Sequence, residues 1–187
     1  MASRLWLVRH GETAWSLSGQ HTSTTDLPLT AEGERKAAQV GKLLAGKKFS
    51  AVYSSPLIRA RETCRIAGYA DAAIFTDDLR EWNYGSYEGL TTQQIQETAP
   101  GWTIWSAGPL GGETIGQVAE RARRVIGQVP DGDVAIFGHG HMLRVLSACW
   151  LEITPEMGRC FALSTGSVSV LGYERETRVI QSWNRTE

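Results

Sequence analysis

The chain has 187 residues, 42% of them hydrophobic and 21% charged, with a formal net charge of −1. That length suits a single domain spanning residues 1–187 with a substantial core, and the near-neutral balance gives no basic field for nucleic acid or an anionic membrane surface. No apolar run approaches the roughly 20 residues of a membrane span; Arg4 and the short strand after it do not make a signal peptide; and Cys64, Cys149 and Cys160 have neither zinc-ligand spacing nor a disulfide framework, so a soluble cytoplasmic protein with reduced thiols is expected.

The first predicted element is the strand Leu5–Val8, which runs into Arg9-His10-Gly11. A helix follows from the N-cap Thr30, with Glu32 and Glu34 complementing its dipole, Ala37, Val40 and Leu44 at helical spacing, and Gly46 at its end. The strand Ala51–Tyr53 leads through Ser54-Ser55-Pro56 to a second helix, with Pro56 near its first turn, running through Arg61 towards Ala67. Ala73–Phe75 reads as another strand. The segment 83–112, rich in Gly, Trp and Thr, reads as an irregular, lid-like insertion over a site. A third helix, about Thr114 to Gln128, places Val118, Ala122, Val125 and Ile126 on one side. The strand Val134–Phe137 ends in Gly138-His139-Gly140, and the helix after it turns Leu143, Leu146 and Trp150 inward. Ser167–Tyr173 and Arg178–Trp183 alternate about a polar turn and predict a terminal hairpin. The strands are short and nearly continuous in apolar character, as in a parallel sheet buried on both faces. The alternation predicts an α/β fold, a three-layer α/β/α sandwich around a mostly parallel sheet, with ligands beyond the carboxyl ends of the strands.

Those carboxyl ends carry the chemistry. One delivers Arg9 and His10, another leads to Arg59 and Arg61, a third delivers His139 and His141, and Leu79-Arg80-Glu81-Trp82 adds a carboxylate. Brought together they suit a phosphate dianion, because arginine forks grip phosphoryl oxygens and imidazole can attack phosphorus. Each signal alone has a plain alternative. A histidine after a strand can be an ordinary hydrogen-bonded residue, Arg59 a solvated helix charge, Glu81 the partner of Arg80, and His139-x-His141 part of a metal site, although no acidic partner set stands near it. Met142 reads as packing, and Trp102 and Trp105 suit either packing or substrate contact.

In order along one chain, Leu7-Val8-Arg9-His10-Gly11-Glu12-Thr13, Ser54-Ser55-Pro56-Leu57-x-Arg59-Ala60-x-x-Thr63, Leu79-x-Glu81 and Gly138-His139-Gly140 resemble the motifs of the histidine phosphatase (phosphoglycerate mutase-like) superfamily, from about Arg4 to about Tyr173. The resemblance implies a phosphoglycerate mutase-like fold and five catalytic residues. His10 is the nucleophile that becomes phosphorylated, Arg9, Arg59 and His139 hold the phosphoryl oxygens, and Glu81 is the general acid and then base. It further implies substrate contacts from Ser16, which stands where the mutases usually have asparagine, and from Thr22, Ser23 and Gly140. Neither a metal nor another cofactor is called for.

Mutases of the family hold a second acidic group with a lysine and an adjacent arginine pair. Here Thr92 takes the lysine position, the segment 102–113 has no arginine, and Arg123-Arg124 lie inside a helix as surface pairs. Hydrolysis is therefore expected. Ser18–Thr22 with Thr25–Thr30, and Glu81-Trp82-Asn83-Tyr84-Gly85-x-Tyr87-Glu88-Gly89, resemble the branch holding mycobacterial acid phosphatases and fungal sedoheptulose-bisphosphatase-like enzymes. That branch implies that His21 and Tyr84 shape the leaving-group pocket of a small phosphate ester, a sugar phosphate or a phosphoglycerate-like acid. A cofactor-dependent mutase and a non-catalytic phosphate-binding module are the alternatives, and the sequence leaves monomer and homodimer open.

Overall fold

A computed structural model describes residues 3–187; the first two residues of the expected domain lie outside the described residues. Six strands, β1 (Arg4–Arg9), β2 (Ala51–Ser54), β3 (Ala73–Phe75), β4 (Asp133–Gly138), β5 (Val168–Glu174) and β6 (Thr177–Arg185), form one sheet in the order β3-β2-β4-β1-β5-β6. The first four in that order are parallel, and β5 and β6 add the expected antiparallel hairpin beside β1. The helices are α1 (Ala14–Ser18), α2 (Ala31–Leu43), α3 (Ile58–Ile66), α4 (Thr92–Thr98), α5 (Ile115–Gly127) and α6 (Gly140–Trp150).

The strand period of two explains the three layers. Leu5 and Leu7 of β1 face the core shared with Val118, Ala122 and Val125 of α5 and Leu143 and Leu146 of α6. Trp6 and Val8 face the opposite core with Val40 of α2, Leu44 just after it and Cys64 of α3. A central strand buried on both faces is thus apolar at each buried position, Leu5 to Val8. Burial pushes the Cys64 thiol up to about 12, so it serves as packing. Among the described residues no helix is long and apolar enough to cross a membrane.

Local caps set the helix starts where expected. Thr30 accepts a hydrogen bond from Gly33 N and Thr114 one from Gln117 N, so α2 and α5 begin one residue later. Three expectations need correction. β3 is an edge strand, and Ile74 and Phe75 are 52% and 49% exposed rather than buried, because among the described residues no further strand pairs with it on its outer side. α3 begins at Ile58 with Leu57 as its cap, so Pro56 lies in the approach turn. The segment 83–112 is not irregular throughout. It contains α4, started by a reciprocal capping box between Thr91 and Gln94, and it buries Tyr84, Ile95, Trp102 and Ile104 in the α5–α6 core.

Candidate active site

β1 and β4 are neighbours in register, with Arg9 opposite Gly138, so their ends deliver Arg9-His10 and His139 to one edge. β2 flanks β4 on the other side, and Ser55 N bonds to Phe137 O at 2.9 Å, which brings Ser55 beneath His139. A cavity of about 400 Å³ opens there. Of the expected site residues, Arg9, His10, Ser16, His21, Thr22, Glu81, Tyr84 and Gly140 line it. Arg59, His139 and Ser23 lie behind that lining, all buried.

His10 is oriented by its own loop. A carbonyl can only accept, so the 2.6 Å contact from Nδ1 to Gly11 O puts the ring hydrogen on Nδ1 and leaves a lone pair on Nε2. Burial, then the charges of Arg59 and Arg9, hold the His10 proton affinity well below that of an ordinary histidine, so the ring is neutral. Gly11 is required by the packing of this loop. A Cβ there would stand 2.3 Å from Gly33 O, because this loop packs backbone to backbone against the first turn of α2.

Arg9 is half-buried, with Nη1 donating to Leu163 O, Nε sealed without a partner and Nη2 without a partner among the described residues. Gly140 makes room for it, since a Cβ at that position would come within 3.3 Å of the guanidinium carbon. An unpartnered donor on a half-buried cation is costly, and an anion in the cavity that Arg9 lines would satisfy Nη2.

Arg59 and His139 form a second layer. Arg59 Nε donates to His139 Nδ1 at 3.2 Å, which places the His139 hydrogen on Nε2, where it donates to Ser55 Oγ at 2.7 Å. The remaining Arg59 nitrogens bond the carbonyls of Thr22, Ser23 and Thr25. The rings of His10 and His139 are 5.2 Å apart, and burial with Arg59 nearby holds His139 neutral as well. The loop that supplies those carbonyls is held by Glu88, whose carboxylate accepts from Ser23 N, Ser23 Oγ and Thr25 N. Ser23 is thus pinned to Glu88, while the Ser16 hydroxyl completes a capping box with Thr13 at the start of α1.

Glu81 is held by α6 rather than by Arg80, which pairs with Asp77. Its Oε1 accepts from Trp82 N at 2.9 Å and Met142 N at 2.8 Å, and its Oε2 from His141 N at 3.1 Å. Oε2 keeps a free acceptor position. Behind the segment, Arg121 makes a bidentate pair with Glu113, at 2.8 Å to each oxygen, and donates to the carbonyls of Asp78 and Arg80.

A family model for the histidine phosphatase superfamily (branch 1) matches residues 5–186. The chain belongs to that superfamily. It is 39% identical over 181 residues to an acid phosphatase of Mycobacterium tuberculosis, covering 94% of this chain and 89% of the relative. Identity is 34% over 187 residues to sedoheptulose 1,7-bisphosphatase of Saccharomyces cerevisiae, covering 82% of this chain and 69% of the relative. A solved Mycobacterium tuberculosis open-reading-frame product matches with a TM-score of 0.92 and 37% identity over 97% of each chain. The phosphatase class and the phosphoglycerate mutase-like α/β fold expected from the sequence are supported by these matches.

In this histidine phosphatase the far wall of the cavity includes residues outside the expected catalytic and substrate-binding set. His141, Arg144, Trp105, Thr103, Ile104, Thr92 and Gln20 all line it. Arg144 follows Gly140 by four positions on α6, a spacing that puts both on one helix face and is visible in the sequence. Its guanidinium lies 4.7 Å over the Trp105 ring while Nε and Nη2 bond the carbonyls of Gly158 and Arg159. Among the described residues no group of three or more His, Cys, Asp and Glu side chains is placed to hold a metal.

Three neutral histidines make stability pH-dependent. His10, His139 and His141 all bind protons more weakly than the ordinary value of 6.5, chiefly through burial. Below that value the unfolded chain takes up protons that the folded chain refuses, so stability is complete above about pH 6.5 and falls as the pH drops. Thermal melts should show Tm decreasing from pH 7 to pH 5, and a flat profile would contradict neutral burial of these rings.

Proposed function

We propose that this protein is a metal-independent phosphomonoesterase acting on small phosphate esters of the sugar-phosphate or phosphoglycerate type, through a phosphohistidine on His10. The observation that carries the reading is the pairing, in one cavity, of Arg9, whose Nη2 has no partner among the described residues and is not sealed from the cavity, with a neutral His10 whose Nε2 lone pair is free. A phosphate dianion would satisfy the first and be attacked by the second.

His10 Nε2 forms a bond to phosphorus as the ester P–O bond breaks, and Glu81 Oε2 gives its proton to the departing alkoxide. Water then attacks the phosphohistidine, Glu81 takes its proton, and inorganic phosphate leaves with His10 restored. Arg9 holds phosphoryl oxygens directly. Arg59 adds charge from the layer behind and the neutral His139 a hydrogen-bond donor; the donors of both are largely committed to Thr22, Ser23, Thr25 and Ser55, and a few of those bonds must be exchanged if either is to reach the phosphate. Ser16, Thr22, Gly140, His21 and Tyr84 line the same cavity and are read as substrate-side residues, with Ser23 supporting them.

Hydrolysis is favoured over mutase chemistry by the walls. Among the described residues no lysine lines the cavity, Thr92 stands where the mutases' lysine is expected, and the segment 102–113 contributes Trp102, Thr103, Ile104 and Trp105. The similarity to proteins named acid phosphatase and sedoheptulose 1,7-bisphosphatase supports the same choice.

The test is p-nitrophenyl phosphate hydrolysis in excess EDTA, joined to rapid quench with a labelled ester. Turnover is expected to be unaffected by EDTA, with an alkali-stable, acid-labile phosphoenzyme. Absence of turnover, with phosphoryl transfer from 2,3-bisphosphoglycerate to a monophosphoglycerate, would replace this reading with a mutase.

A further inference from the structure

The Tyr84 hydroxyl lies 2.6 Å from His141 Nδ1, within the lining of the cavity. Of the two possible donors, the phenol is the stronger, and imidazole nitrogen is a far better acceptor than a phenol oxygen. Tyr84 is kept as the phenol by burial and by the nearby Glu81 charge, and His141 is kept neutral by burial and by Arg144. Tyr84 O–H therefore donates to Nδ1, and the ring hydrogen of His141 is fixed on Nε2.

That Nε2–H has no partner among the described residues, yet it is not one of the sealed polar atoms, so it opens on the cavity. The ring itself cannot swing away. It stacks on His21 at 6.2 Å with an interplanar angle of 7°, and meets Trp105 edge-on at 5.3 Å and Trp82 at 6.2 Å. Its own backbone N–H holds Glu81 Oε2 at 3.1 Å, so the side chain stands directly beside the carboxylate that would protonate the leaving oxygen.

We propose that His141 is a specificity-determining residue whose Nε2–H binds an acceptor oxygen adjacent to the ester oxygen, selecting phosphate esters of vicinal polyols over those of simple alcohols. The inference rests on the reading of this cavity as the ester site. A fixed donor that no protein group satisfies penalises a ligand that lacks its partner, because the donor is then desolvated for nothing.

The experiment compares glycerol 1-phosphate with propyl phosphate, which differ in the hydroxyls alone, as dissociation constants in the His10→Ala protein, where no turnover interferes. The expected preference for glycerol 1-phosphate is about tenfold, the worth of one well-placed hydrogen bond. It should collapse towards unity when His141→Phe, which keeps the ring packing, is added, and be partly restored by His141→Gln, which keeps a donor. Tyr84→Phe, which frees the tautomer, should lower the preference less than His141→Phe does. A role in packing alone would weaken both ligands equally. Equal binding of the two esters before the His141 change, or a preference that survives His141→Phe, overturns the proposal. The phosphatase reading is judged separately, by turnover of p-nitrophenyl phosphate in the unsubstituted protein.

Discussion

Replacing His10 with alanine is expected to abolish phosphatase turnover, by at least about 10⁴-fold, as removal of a nucleophile does elsewhere, while leaving the fold intact. The structure supports both halves of that expectation. The neighbouring imidazole cannot substitute: His139 has one nitrogen taken by Arg59 and the other by Ser55. Fold stability should change little. The side chain contributes one hydrogen bond, to Gly11 O, worth about 1 kcal/mol, and its burial beside two arginines offsets part of that. In a domain of this size a change of about 1 kcal/mol moves Tm by roughly 2–4 °C. The measurement is turnover of p-nitrophenyl phosphate and Tm on the same preparation, with phosphoenzyme trapping alongside. Residual turnover near one per cent with no trapped phosphoenzyme would mean that water attacks phosphorus directly and that His10 only binds.

The catalytic edge was legible in the sequence because its signals are local. An apolar run that stops at Arg9-His10 marks a strand end whatever else the chain does, and a threonine followed three residues later by its N–H partner marks the starts of α2 and α5. Other features depend on residues far apart and left no such mark. The donors of Arg59 are committed because Thr22, Ser23 and Thr25 turn their carbonyls towards it, and that loop is shaped by Glu88, 65 positions beyond Ser23. No spacing rule connects those residues. The need for glycine at position 11 comes from Gly33 on another element. Trp105 and Arg144 reach the cavity through a stack of one on the other, which neither local pattern announces. Apolar composition alone could not distinguish β3, at the sheet edge, from the covered β2 and β4.

Replacing Glu81 with glutamine is expected to lower kcat/KM by about 10²–10³-fold for esters with poor leaving groups, such as sugar phosphates, and far less for p-nitrophenyl phosphate. A nitrophenolate departs without help, whereas an alkoxide must be protonated as the P–O bond breaks. The substitution is conservative at one oxygen and not at the other. The amide oxygen can take the place of Oε1 and accept from Trp82 N and Met142 N, but the amide nitrogen then faces His141 N, where Oε2 now accepts at 3.1 Å. Two opposed donors cost on the order of 1 kcal/mol, a shift in Tm and not a loss of fold. The two half-reactions also separate. If Glu81 also takes the proton from the water that attacks phosphohistidine, the variant should release one equivalent of nitrophenol per site in a rapid burst and then turn over slowly, because attack on phosphorus needs no acid while hydrolysis of the intermediate needs the base. Equal losses in kcat/KM for both ester classes, with no burst, would remove Glu81 from both roles. The backbone N–H groups of α6 that grip its carboxylate would then make it a cap for that helix and nothing more.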